Sequence, residues 1–280
     1  MVFAGFSNFA FKIAASKKFD AETFNMYGGI TSILFAGIGL ILVMPAGVSS
    51  WFLILLTVLS GIVATFGGVM KVYALRYIDT TIFYPLFKLL SPFLAVVAGM
   101  TMFAERFTVL EWVGIVMGLL VPLLLINRVE HRRQENLLLG LLFVAAISCT
   151  SAAAAAMNKY AIDVGMNEWT TLWYASWGIF VGSIILIGGK LKTKIIRHII
   201  ENTRKDLVFY AFTRSFLICI SLLLILYAYG HGGSLGVVQT IHSMYIIIPI
   251  LLSVWWYKEH IDFKKAAAVV LSVVALGFLG

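Results

Sequence analysis

Residues 52–75 read Phe52-Leu-Ile-Leu-Leu-Thr-Val-Leu-Ser-Gly-Ile-Val-Ala-Thr-Phe-Gly-Gly-Val-Met-Lys-Val-Tyr-Ala-Leu75, a run with one charge, Lys71. At a rise of ~1.5 Å per residue, about 20 apolar residues cross the hydrocarbon core of a bilayer. This stretch is long enough and reads as a membrane-spanning helix. The same rule divides the chain into ten segments: 1–16, 24–44, 52–75, 80–102, 109–127, 137–160, 169–189, 207–230, 234–257 and 263–280. The first covers only about 24 Å. Met1 leads directly into apolar residues with no basic stretch before them, so a cleaved signal peptide is not expected and the chain is read as starting inside its first helix.

The composition agrees. Of 280 residues, 61% are hydrophobic and 12% charged, and the mean hydropathy is +0.98. Soluble domains are ~45–50% apolar and ~25% charged, which excludes a soluble globular enzyme. Long unbroken apolar runs, rather than short alternating strands, exclude a membrane β-barrel. Cys149 and Cys219 both sit in apolar runs and read as small hydrophobes, and no metal-ligand spacing is present. The predicted fold is an all-α polytopic membrane protein of ten transmembrane helices.

Basic residues are distributed unevenly between the two sides. Fifteen of the 21 Lys and Arg fall on one side, among them Lys17, Lys18, Arg76, Arg128, Arg132, Arg133, Arg204 and Lys205. Arg106 alone falls on the other. The positive-inside rule makes the rich side cytoplasmic and sends both termini outward. Anionic inner-leaflet lipid then accounts for the net charge of +8, and no nucleic-acid partner is needed. In loop 190–206, Ile195, Ile196, Ile199 and Ile200 share one helical face opposite bases, the pattern of an interfacial helix.

The polar stretch 128–136 separates residues 1–127 from 137–280, five segments each. At an offset of 147, Lys12 pairs with Lys159, Thr23 with Thr170 and Tyr27 with Tyr174. At 154, Tyr73 pairs with Tyr227 and Glu105 with Glu259. An odd number of spans per half makes the repeats inverted, with a site expected near the midplane between them. Gly114 with Gly118, Gly178 with Gly182, and the run Ala152 to Ala156 let helices approach closely. Thr108 to Glu111 is a capping box, and Asp262 is a cap for the last segment.

All 13 acids lie in loops or at segment ends, whereas six basic groups lie within segments: Lys12, Lys71, Lys88, Lys159, Arg214 and His242. A Lys or Arg at a helix centre costs ~2.5–3.5 kcal/mol on insertion scales. Lys12 and Lys159 sit near segment ends and can snorkel to the interface, and Lys71 is only four residues from one. Lys88 is about 12 Å deep and Arg214 about 10 Å. His242 corresponds to Lys88 at the offset of 154. Helical spacing places Tyr84 and Ser91 beside Lys88, and Gln239 and Tyr245 beside His242. Pro85, Pro92 and Pro249 free carbonyls that can line a cavity.

Tyr84-Pro-Leu-Phe-Lys-Leu-Leu-Ser-Pro-Phe-Leu94, then Ala104-Glu-Arg-Phe-Thr108, then Gly114 and Gly118, resemble the end of a repeat of the drug/metabolite transporter superfamily in its ten-span EamA-like branch. Pro249 followed by Tyr257-Lys-Glu-His-Ile-Asp262 looks like the second copy, with His260 where Arg is usual. Gly5-Phe-Ser-Asn-Phe-Ala-Phe-Lys12 resembles the first-span motif and adds Asn8. The resemblance implies a secondary transporter with a central cavity lined by spans 1, 3, 4, 6, 8 and 9. Ten-span relatives keep both termini cytoplasmic; the charge distribution here points the other way.

The expected activity is movement of a small polar solute, anionic or zwitterionic, across the cytoplasmic membrane by alternating access. The candidate substrate residues are Lys88, His242, Arg214, Lys71, Lys12, Tyr84, Gln239 and Asn8. No catalytic residue, metal or cofactor is expected. A flippase for a lipid-linked phosphate would use the same cations. A membrane enzyme would have only Glu259, His260 and Asp262 to work with, and capping explains these more simply.

Overall fold

The computed structural model describes residues 2–43, 50–77, 80–124, 137–191, 195–246 and 263–279. Eleven α-helices and one 3₁₀ turn fill them, with no strand among the described residues: α1 Val2–Ser16, α2 Ala21–Val43, α3 Trp51–Tyr77, α4 Thr80–Met102, α5 Val109–Leu124, α6 Leu137–Asp163, α7 Glu168–Leu191, α8 Ile195–Asn202, α9 Lys205–Gly230, α10 Leu235–Ser243 with its 3₁₀ extension Met244–Ile246, and α11 Phe263–Leu279. Six of these (α2, α3, α4, α6, α7 and α9) are long and apolar enough to cross a membrane, and α5 and most of α11 are shorter apolar helices. Large apolar side chains remain on the outer surface, such as Leu42, Trp51, Val109 and Phe263. That arrangement is stable only where the surroundings are themselves apolar, as lipid tails are.

Helix ends are set by local caps. The second segment begins at Ala21, three residues earlier than its hydropathy predicts. Asp20 takes the N-cap position there, and its carboxylate accepts from the Thr23 N–H (2.9 Å) and the Thr23 hydroxyl (2.7 Å). In the same way Asn167 accepts from the Trp169 N–H ahead of α7, and Ser234 from the Val237 N–H ahead of α10. The predicted capping box opens α5: Thr108 donates from its N–H and its hydroxyl to Glu111, whose own N–H returns to the Thr108 hydroxyl. The α1–α2 and α6–α7 turns are built alike. Phe19 N–H reaches Ala14 O and Lys18 N–H reaches Ala15 O; Met166 N–H reaches Ala161 O and Gly165 N–H reaches Ile162 O. The turning residues, Lys18 and Gly165, both have positive φ.

The helices pair as α2 with α7, α3 with α6 and α7, α9 with α1 and α2, α4 with α6 and α10, and α5 with α11. The closest approach uses glycine. A Cβ on Gly178 of α7 would lie 2.9 Å from Gly61 Cα of α3 and against the Val58 carbonyl, and one on Gly182 would be 3.2 Å from Ile62 Cα. The Gly178 and Gly182 pair thus packs within the bundle. Gly114 lies against Leu279 and Phe278 of α11, and Gly118 against Thr240 and Met244.

The ninth segment, predicted as one helix to 257, is α-helical from Leu235 to Ser243 and 3₁₀ over Met244–Ile246, and the rest of it lies outside the described residues. One expectation changes. Lys159 does not snorkel. It is buried, 3.0 Å from Asp163 and 3.9 Å from Glu105, because Asp163 ends its own helix one turn on and the turn after α4 brings Glu105 over that helix end. Pro249, Tyr257, Lys258, Glu259, His260, Asp262 and the stretch 128–136 lie outside the described residues, as do the side chains of Asn8 and Lys12.

Candidate functional site: a basic cavity between six helices

A cavity of about 250 Å³ lies among α1, α3, α4, α6, α9 and α10. Each helix gives it one stripe. On α9 the stripe is Arg214, Ile218, Leu222, Ile225 and Tyr229, and on α6 it is Ile147, Ser151, Ala154 and Asn158. These are the i, i+3, i+4 positions of a helical face. From Arg214 to Tyr229 the stripe runs about 22 Å along the helix, so the cavity is elongated. On α3, Gly67 and Gly68 keep the wall thin one turn before Lys71.

Five of the eight candidate residues meet on this wall: Lys71 from α3, Lys88 from α4, Arg214 from α9, and Gln239 and His242 from α10. Tyr84 is not on the wall; its ring centroid lies 5.6 Å from the Lys71 ammonium. The side chains of Asn8 and Lys12 are outside the described set. Sequence reading missed Phe11, Thr150, Ser151, Asn158 and Tyr229. The hydroxyl and amide groups of α6 left a signal: they recur at helical spacing in a segment otherwise rich in alanine.

No Asp or Glu is among the described residues that line the cavity. Three of its cations lie over aromatic faces. Lys88 Nζ is 4.0 Å from the Tyr245 ring centroid and 5.0 Å from that of Phe87. Lys71 Nζ is 4.9 Å from the same Phe87 ring and 4.7 Å from Phe11, and the Arg214 guanidinium is 4.1 Å from Phe11 on α1. Cations that share a ring in this way stand within about 9–10 Å of each other, the sum of their two distances. At an effective dielectric of ~20, two like charges that far apart repel by roughly 2 kcal/mol. A desolvated cation–π contact returns about 2 kcal/mol, against several kcal/mol for desolvating each ion. The balance favours an anion among them. Among the described residues three buried polar atoms also have no hydrogen-bond partner: Arg214 Nε, His242 Nε2 and Tyr245 Oη. Gly28 makes room for the guanidinium, since a Cβ there would lie 3.1 Å from Arg214 Nη1 and 2.6 Å from Ser215 Oγ.

The other end of the stripe is neutral. Gln239 Nε2 donates to Tyr229 Oη at 2.8 Å, and Ser60 donates to Asn158 Oδ1 at 2.7 Å. Just beyond, Glu105 accepts from the N–H groups of Leu235 and Gly236 and so caps α10, the helix that carries Gln239 and His242. At the opposite end of α9, Lys17 pairs with Asp206 (3.3 Å), His198 of α8 with Asp20 (3.3 Å), and Arg76 donates to Phe19 O (2.8 Å). Burial alone would raise the Asp20 carboxyl; the Thr23 hydrogen bonds and the nearby His198 imidazole outweigh it and hold the acid below its usual value. A helix does form within loop 190–206, as α8, and is tied to the α1–α2 turn by this contact.

No curated protein matches the chain. Among solved structures, one crystal structure is similar at a TM-score of 0.71 and 14% identity, covering 99% of this chain and 95% of the other, a likeness of fold. Residues 138–280 match the EamA-like transporter family. That match spans just over half of the protein, and with the apolar helices around a central cavity it places the chain in the EamA-like family of membrane transporters, within the drug/metabolite transporter superfamily.

Proposed function

We propose that the protein carries a small polar metabolite, anionic or zwitterionic, across the cytoplasmic membrane by alternating access around the basic cavity. The observation that carries this reading is the convergence of Lys88, Arg214 and His242 from three helices on a cavity with no acid among its described lining residues. A visiting anion supplies the missing charge and the missing hydrogen-bond acceptors.

Alternating access calls for two similar halves, and the helix pairing supports them. Exchanging α1 with α6, α2 with α7, α3 with α9, α4 with α10 and α5 with α11 converts the α3–α6 contact into α9–α1 and the α3–α7 contact into α9–α2. It leaves α2–α7, α4–α10 and α5–α11 unchanged. The hydrogen bonds of the α1–α2 and α6–α7 turns repeat at the same offset of 147 that relates Lys12 to Lys159. In this reading ten crossings form two inverted repeats, 1–127 and 137–280, joined by 128–136. The basic side is cytoplasmic, facing anionic lipid. A flippase is disfavoured by size: about 250 Å³ falls below the ~300–1,000 Å³ typical of drug-sized ligand pockets.

The test is Lys88→Ala in proteoliposomes. The variant should insert and elute as a monodisperse species while flux of the substrate falls at least tenfold. Wild-type flux would remove Lys88 from the site.

A further inference from the structure

The wall separates into a cationic end and a neutral one, and the separation speaks to which ions fit. Lys88 and Arg214 come from the early turns of α4 and α9, and His242 and Tyr245 from the far end of α10. Lys88 makes no hydrogen bond or ion pair among the described residues, and its ammonium faces only rings. The orphan atoms Arg214 Nε, His242 Nε2 and Tyr245 Oη belong to this same end. Among the described lining residues an ammonium on a ligand would find no carboxylate, only repelling cations at one end and amide and hydroxyl groups at the other. Those neutral groups, Ser151 and Asn158 on α6 and Gln239 on α10, suit hydroxyl or carbonyl oxygens instead.

We infer that the substrate is a small anion with at least two negative charges and an oxygen-rich body, a phosphate monoester or a dicarboxylate, and that zwitterionic amino acids are excluded. This rests on the reading of the cavity as the transport site. Lys88 and His242 both flank the Tyr245 ring, at 4.0 Å and 5.6 Å from its centroid, and Arg214 adds a guanidinium further along the same wall, linked to them through Lys71 and the rings of Phe11 and Phe87. Two anionic groups on one small molecule offer enough lone pairs for donors spread in this way. The zwitterion fails for the complementary reason, since its ammonium would be buried beside like charges without a partner.

The experiment is ligand-induced thermal shift and calorimetric titration on the purified full chain at fixed ionic strength. The probes are inorganic phosphate, glycerol 3-phosphate, succinate, alanine and glutamine. Glycerol 3-phosphate or succinate should raise the unfolding temperature and bind at least tenfold more tightly than alanine or glutamine. Lys88→Met and Arg214→Gln should each weaken that binding at least tenfold. A shift with the phosphates only, or with succinate only, identifies the head group and supports the inference. An amino acid that binds as tightly as either dianion, with binding lost in Lys88→Met, overturns the dianion and leaves the cavity as the transport site. Dianion binding that survives both substitutions unchanged puts the ligand elsewhere and overturns the dianion assignment and the transport site together. Absence of binding by all five probes overturns the dianion, while the Lys88→Ala flux assay separately decides the transport site.

Discussion

Removing the Glu105 carboxylate tests whether a loop of the first half holds a cavity helix of the second. Glu105 accepts from the Leu235 and Gly236 N–H groups at the first turn of α10 and lies 3.9 Å from Lys159 Nζ, with both charged side chains more than nine-tenths buried. In Glu105→Ala the two N–H groups lose their acceptor and Leu235, itself fully buried, cannot turn to water. A hydrogen bond to a charged group contributes ~1.5–3 kcal/mol, and a negative charge at a helix N-terminus adds ~0.3–1 kcal/mol. Lys159 keeps Asp163 at 3.0 Å, so its own loss is small. Counting the Leu235 bond and the dipole, since the Gly236 bond is long at 3.3 Å, the expected destabilisation is about 2–4 kcal/mol. On the scale of soluble domains that lowers the unfolding temperature by about 5–10 °C. Glu105→Gln keeps one acceptor oxygen without the charge and should lose about half as much. The assay is thermal unfolding of the purified protein in detergent, followed by intrinsic fluorescence. An unchanged midpoint in Glu105→Ala, or a larger loss in Glu105→Gln than in Glu105→Ala, would refute the cap.

Two further outcomes follow from the packing and the polar turn. Gly28→Ala should destabilise by about 1–3 kcal/mol through overpacking and lower flux, because the new methyl lies 2.6 Å from Ser215 Oγ and 3.1 Å from Arg214 Nη1. A more stable variant with normal flux would show that Arg214 need not sit where it does. Asp20 is held below its ordinary value of 3.8, so its stabilising contribution is complete above that value and is lost as pH falls through the depressed folded-state value. Asp20→Asn should lower the unfolding temperature at neutral pH, and the gap to wild type should close as the solution is acidified below about pH 4. A gap that widens under acid would contradict the assignment.

Much of this architecture could be read from residue order. Segment positions followed from apolar length, since each span must satisfy its backbone internally. The α5 capping box and the helix at 195–202 were legible because their signals are local, three or four residues apart. The early start of α2 was not, because the hydropathy of Ala21-Glu-Thr23 is low and only the Asp20 cap recruits it into the helix. Lys159 was misread for a different reason. Its two acids come from its own next turn and from the turn after α4, and distance along the chain gives no hint that Glu105 folds back onto α6.

The sequence by itself determined that the chain is helical, lives among lipid tails, and carries basic residues inside its apolar segments. Hydropathy and charge are properties of single residues and survive without a fold. Only the tertiary structure decided that Lys71, Lys88, Arg214 and His242 line one cavity, that Tyr84 stands behind Lys71 rather than on the wall, and that Lys159 is already paired. Which cations share a cavity depends on how each helix is rotated against its neighbours, and close approaches such as Gly61 against Gly178 fix that rotation.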